Sequence, residues 1–129
     1  MSEVKTNKLT GTSTAGSILV TGEGNSTTTN LQQGLAKAWA LHNDGTAQDS
    51  FNIASIVSVG TGNYRPTYTS SMNSVNYTAA GWQGNNSNGV VTGNELNTAY
   101  IDTFYKTLGS GGSSGDCSQA GISVSGDLA

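Results

Sequence analysis

Large apolar residues in this chain recur at every second position over short stretches. Glycine, asparagine and aspartate interrupt them about once every ten residues, the rhythm of β-strands between tight turns. Ser17-Ile18-Leu19-Val20-Thr21 is the first β run, closed by the turn-forming Gly22-Glu23-Gly24-Asn25. Leu31, Leu35 and Trp39 then stand four apart, the spacing of one helical face, with Thr29 or Asn30 able to cap its start. Gly34 weakens a helix there, so the pattern predicts at most a helical turn followed by a strand to about His42. Asn43-Asp44-Gly45 is a hairpin signal, because Asp-Gly tolerates the left-handed turn conformation.

A strand over Phe51, Ile53, Ile56, Val57 and Val59 follows, with a bend or bulge at Ala54-Ser55, and ends in Gly60-Thr61-Gly62-Asn63. Tyr64, Pro66 and Tyr68 alternate with polar neighbours. Proline cannot donate to a ladder, so this strand is expected at an edge or a bulge. Val75, Tyr77 and Ala79 alternate with Asn76, Thr78, Ala80 and Trp82, and Gly84-Asn85-Asn86-Ser87-Asn88-Gly89 is an exposed loop. Residues 90–108 carry two signals. Thr92-Gly93-Asn94-Glu95 fits a capping box, and Leu96, Tyr100, Phe104 and Leu108 recur every four. Against this, Thr98, Tyr100, Ile101, Thr103, Phe104 and Tyr105 are β-branched or aromatic, which favours a two-faced strand. Gly109 to Gly115 is a glycine-serine loop, and Ala120-Gly121-Ile122-Ser123-Val124-Ser125 is the last strand. The fold class is all-β, an antiparallel sandwich or meander over residues 37–129, preceded by a short oligomerisation segment, residues 1–36.

Composition changes what such a fold can rest on. Gly, Ser, Thr and Asn make up about half of the 129 residues, and only 10% are charged. Ile, Leu, Val and Phe are scarce, below the roughly 20% at which a globular core becomes thin. With a net charge of −3 the chain does not repel itself open. A core completed by other copies is therefore expected, with Ile18, Val20, Leu31 and Leu35 as the candidate oligomer interface. Five basic against eight acidic residues make no nucleic-acid footprint. No apolar run is long enough to span a membrane, and the polar start predicts no secretory signal. A lone Cys117 excludes an internal disulfide.

Catalytic signals are absent. The single His42 has no Gly-x-Ser-x-Gly elbow to serve, and it stands beside a turn where a structural imidazole is ordinary. The acids are scattered through turns, and the glycine pairs lack a phosphate-loop ending. No catalytic residue, metal ligand or cofactor is expected. Aromatic faces stack on the apolar faces of sugars. Trp82, beside Asn85, Asn86 and Asn88, is thus a candidate glycan contact, whereas Trp39 is expected in the core.

The order of several segments resembles fibre-like virion structural proteins of aquatic bacteriophages such as cyanophages. The segments are Asn30-Leu31-Gln32-Gln33-Gly34-Leu35-Ala36-Lys37-Ala38-Trp39, an Asp-Gly turn, Ser50-Phe51-Asn52-Ile53-Ala54-Ser55 and Gly60-Thr61-Gly62-Asn63-Tyr64-Arg65. Met72 and Tyr77, the ending Gly126-Asp127-Leu128-Ala129 and the opening Ser2-Glu3-Val4-Lys5-Thr6-Asn7-Lys8-Leu9 complete it, across nearly the whole chain. Two features depart from that pattern. The chain lacks the long shaft of many fibres, and Arg65-Pro66 replaces more usual β-branched residues, making that strand an edge. The resemblance implies a virion-located, trimeric, non-enzymatic protein in a tail fibre, spike or other host-attachment appendage. Its implied partners are itself, other virion proteins and a host cell-surface glycan or protein. A capsid decoration protein and a carbohydrate-binding module are the alternatives.

Overall fold

The computed structural model describes residues 3–12, 18–22, 27–84, 89–107 and 114–128. The chain divides into two compact units, Met1–Leu35 and Ala36–Ala129. In the first, β1 (Leu19–Thr21) pairs antiparallel with β2 (Thr28–Asn30), and the single helical turn α1 (Leu31–Gly34) follows directly. Leu31 N–H donates to Ile18 O at 2.8 Å, so the turn closes onto the start of β1.

The second unit is all-β and antiparallel. Its strands are β3 (Ala36–Asn43), β4 (Thr46–Phe51), β5 (Ile53–Gly60), β6 (Asn63–Tyr68), β7 (Thr78–Gly84), β8 (Gly89–Leu96), β9 (Ile101–Thr107) and β10 (Gln119–Ser125). They form two four-stranded sheets, in the orders β4-β3-β10-β7 and β5-β6-β9-β8. The turns carry the chemistry expected of them. Asp44 and Gly45 take φ of 44° and 78°, the pair of left-handed residues that matches hairpin twist. Gly62, at φ 65°, closes the β5–β6 hairpin. Asn52, also left-handed at φ 56°, makes the corner from one sheet to the other. Its amide donates to Lys37 O and Ser70 O, both at 3.0 Å, and its Oδ1 accepts from Ser70 N–H at 2.7 Å.

One core lies between the inner faces of the sheets. Ala38 and Ala40 of β3 and Ile122 and Val124 of β10 meet Tyr68 of β6, Ile101 of β9, and Met72 and Tyr77 of the 69–77 connection. Small alanines on one sheet leave room for tyrosines from the other, which is how few large aliphatic residues fill the space. A second cluster joins Tyr64, Tyr105, Cys117 and Ala120. The rings of His42, Tyr64 and Tyr105 stand 5.0 to 5.5 Å apart in tilted and edge contacts.

Four sequence expectations change. Phe51 does not open the strand that holds Ile53 to Val59: it ends β4, and Asn52 carries the chain to β5 in the other sheet. The stretch 90–108 is a hairpin of β8 and β9 rather than one strand, and residues 97–100 make the turn. Val75 and Tyr77 lie in the irregular connection before β7, where Met72 bridges Leu128. Pro66 sits in an inner strand, not at an edge. The β6–β9 ladder pairs only Asn63 and Tyr64, then lapses until the isolated Thr67–Tyr100 bridge, so proline occupies the gap where no donor is required. Beside it, Arg65 forks onto Asp102 with bonds of 2.6 and 2.7 Å and lies over the Tyr100 ring, 4.2 Å from its centroid.

Candidate functional site

The outward face of the β4-β3-β10-β7 sheet carries three aromatic residues that the core does not use, Trp39, Phe51 and Trp82. Alternation along β3 turns Ala38, Ala40 and His42 inward, and Trp39 and Leu41 outward. Register then places Trp39 between Phe51 of β4 and Ser123 of β10, and Ser123 against Ala80 of β7. Two residues along, Leu41 faces Gly121, and Gly121 faces Trp82. Trp39, Phe51 and Trp82 are 36%, 51% and 50% exposed. Between the two tryptophans runs a groove of about 400 Å³, lined by Trp39, Ala40, Leu41, Ala80, Gly81, Trp82, Ile122 and Ser123.

Two glycines decide how Trp82 lies. A β-carbon on Gly121 would come within 2.2 Å of Trp82 Nε1, and one on Gly84 within 2.9 Å of its Cζ3. The indole therefore occupies the space that both absent side chains would fill, lying across the sheet from β10 to the end of β7. This is the close approach that glycine permits.

The structure places the predicted site residues as follows. Trp82 is on the open face, as a contact residue requires. Asn85, Asn86 and Asn88 lie outside the described residues. Trp39, expected in the core, is on the outside face. Strand alternation marks two faces but not which one is covered, and tyrosines of the second sheet fill the inner side. In the first unit Ile18 and Leu31 are half-buried and joined through the backbone, whereas Val20 and Leu35 are exposed. Phe51 and Gly121 were not among the predicted site residues. The sequence signal available was the shared phase of Trp39 and Leu41, opposite to that of Ala38, Ala40 and His42.

His42 is fully buried and committed at both ring nitrogens. Nδ1 accepts from Gly45 N–H at 3.3 Å, so the neutral ring carries its proton on Nε2 and donates it to Tyr105 Oη at 2.8 Å. Burial lowers its pKa below the ordinary 6.5, opposed by the Asp44 carboxylate. Tyr64 Oη donates to Asp44 at 2.5 Å, and Asp116 accepts from Gly62 N–H at 2.7 Å. Burial raises the pKa of the Tyr64 hydroxyl and pushes the Cys117 thiol up to about 11, so neither is an activated nucleophile. These groups tie the β3–β4 and β5–β6 turns together. Among the described residues no three His, Cys, Asp or Glu side chains gather as metal ligands, and no helix is long and apolar enough to cross a membrane.

Comparison with family models, with curated proteins and with solved structures finds no match to this chain.

Proposed function

We propose that this chain is a structural protein of a bacteriophage virion, part of a tail fibre, spike or other host-attachment appendage, assembled as a homotrimer. One observation carries the reading. Among the described residues of the first unit five large apolar side chains stand open, Val4, Leu9, Leu19, Val20 and Leu35 being 48–85% exposed, and Ile18 and Leu31 are only half-buried. A segment of that kind gains little from folding alone and much from packing against copies of itself, whose strands supply backbone hydrogen bonds. The segment resemblance supplies the virion context. The second unit, with its own core, presents the aromatic groove, and repetition of a weak contact in each copy would raise the effective affinity for a host surface.

Light scattering on the size-separated protein should give three times the 13.1 kDa chain mass. Val20→Asp with Leu35→Asp should lower that mass while the second unit keeps its β circular dichroism. A stable, well-folded monomer of the unchanged chain at micromolar concentration overturns the assembly. Antibody-gold labelling of intact virions tests the location. Label on a tail appendage supports the proposal, label on the capsid favours a decoration protein, and no label on virions leaves a free carbohydrate-binding module.

A further inference from the structure

The geometry points to a specific ligand for the outer face of the β4-β3-β10-β7 sheet: we propose that it binds an extended, uncharged oligosaccharide across Trp82 and Trp39. The inference deepens the attachment reading and rests on it for the source of the sugar, a host surface glycan.

A pyranose ring has an apolar face of C–H groups and a rim of hydroxyls. The C–H groups are attracted to the negative face of an aromatic ring. Trp82 offers such a platform, because the indole lies across Gly121 and Gly84 and is half-exposed. Trp39 offers a second, two strands away and two residues along. At about 4.8 Å per strand and about 3.4 Å per residue the two positions are about 12 Å apart, longer than one sugar ring. The floor between them is low, made by the small side chains of Ser123 and Ala80, so a chain of sugars can pass from one ring to the other. Ser123 supplies a hydroxyl on that floor, and Gln119, outward on β10 beside Trp82, supplies an amide.

Charge and size choose the class of occupant. None of the groove-lining residues is charged, and a carboxylate on this face, Asp49 opposite Leu41, stands on the flanking strand. Lys37, in phase with Trp39 on β3, is buried, so the groove lining offers an anionic polysaccharide no exposed cation. The groove volume of about 400 Å³ falls in the range of ligand sites, roughly 300–1,000 Å³. A protein partner needs about 800 Å² on each side. Three aromatic side chains of about 150–250 Å² each, one-third to one-half exposed, leave about 300 Å² of open ring surface. That ring surface is enough for a sugar chain and less than the roughly 450 Å² of apolar area that one side of such an interface carries.

The test is tryptophan emission of the full chain titrated with cellohexaose, laminarihexaose and maltohexaose, with glucose as the short control. At least one hexasaccharide should give a saturable shift, with glucose weaker by about tenfold or more. Trp82→Ala, Trp39→Ala and Gly121→Ala should each weaken binding by about tenfold while the assembly mass stays unchanged. Gly121→Ala keeps both indoles and only lifts one from its seat, so it guards against loss through misfolding. No saturable shift with any of the three at millimolar concentration overturns the inference, as does unchanged affinity in the variants. A fall in assembly mass on replacing either tryptophan makes the face a contact between copies, which overturns the inference and leaves the trimer standing. A monomer that binds a hexasaccharide through both tryptophans does the reverse.

Discussion

Replacing Gly121 by alanine adds one carbon where the Trp82 indole now lies. That carbon would stand 2.2 Å from Nε1, 2.7 Å from Cε2 and 3.0 Å from Cδ1. Ordinary contacts are at about 3.5–4.0 Å, so the ring must retreat by more than about 1 Å. The backbone accepts alanine, since Gly121 is not in the left-handed region. Trp82 is half-exposed, so the ring swings toward solvent and the sheet stays as it is. An indole presents about 250 Å², and losing its buried half at about 25 cal/mol per Å² costs at most ~3 kcal/mol. The displaced ring keeps part of that contact, and alanine restricts the unfolded chain by about 0.4–1 kcal/mol in the stabilising direction. The net loss is about 1–2 kcal/mol, a fall in midpoint of about 5–10 °C for a domain of this size. Thermal unfolding by circular dichroism measures it, and a red shift in tryptophan emission should accompany it. A double-mutant cycle isolates the cause. With Trp82→Ala in place there is no ring to displace, so Gly121→Ala should become neutral or stabilising by about 0.4–1 kcal/mol. The same cost in both backgrounds would show that the ring does not rest on Gly121 and would refute the reasoning.

Two other perturbations probe the frame that holds this face. Gly62→Ala forces a side chain into a residue at φ 65° and sets its β-carbon 2.7–2.9 Å from backbone atoms of Gly115 and Tyr105. Left-handed strain of about 1–2 kcal/mol and overpacking of about 1–3 kcal/mol add, so urea unfolding should show a loss of about 2–5 kcal/mol. Gly60→Ala, whose nearest neighbour is Asn63 Cβ at 3.9 Å, should be close to neutral in the same assay. His42 makes stability depend on pH. Its folded pKa lies below the ordinary 6.5, so below that value the unfolded chain binds the extra proton. Its contribution is present above pH 6.5 and is lost as the pH falls from there to the folded pKa. His42→Gln should flatten this part of the stability profile, and an unchanged slope between pH 7 and 5 would assign it to other groups.

Local chemistry determined much of this protein. A hairpin at Asp44-Gly45 needs two residues that tolerate positive φ, and those residues are neighbours in the chain. The alternation of Ala120, Ile122 and Val124 with polar residues likewise makes β10 legible, with the right residues inward. Three things were decided only by tertiary structure. Pro66 lies in an inner strand because the β6–β9 ladder lapses beside it, and a lapse in pairing depends on the partner strand. Trp39 points out because burial chooses between two faces that alternation leaves equivalent, and tyrosines of the opposite sheet took the inner one. The seat of Trp82 exists because β10 inserts between β3 and β7 and brings Gly121 beside a residue 39 positions earlier in the chain. No local pattern records that pairing. The long-range register alone turns a glycine and a tryptophan of separate strands into one surface.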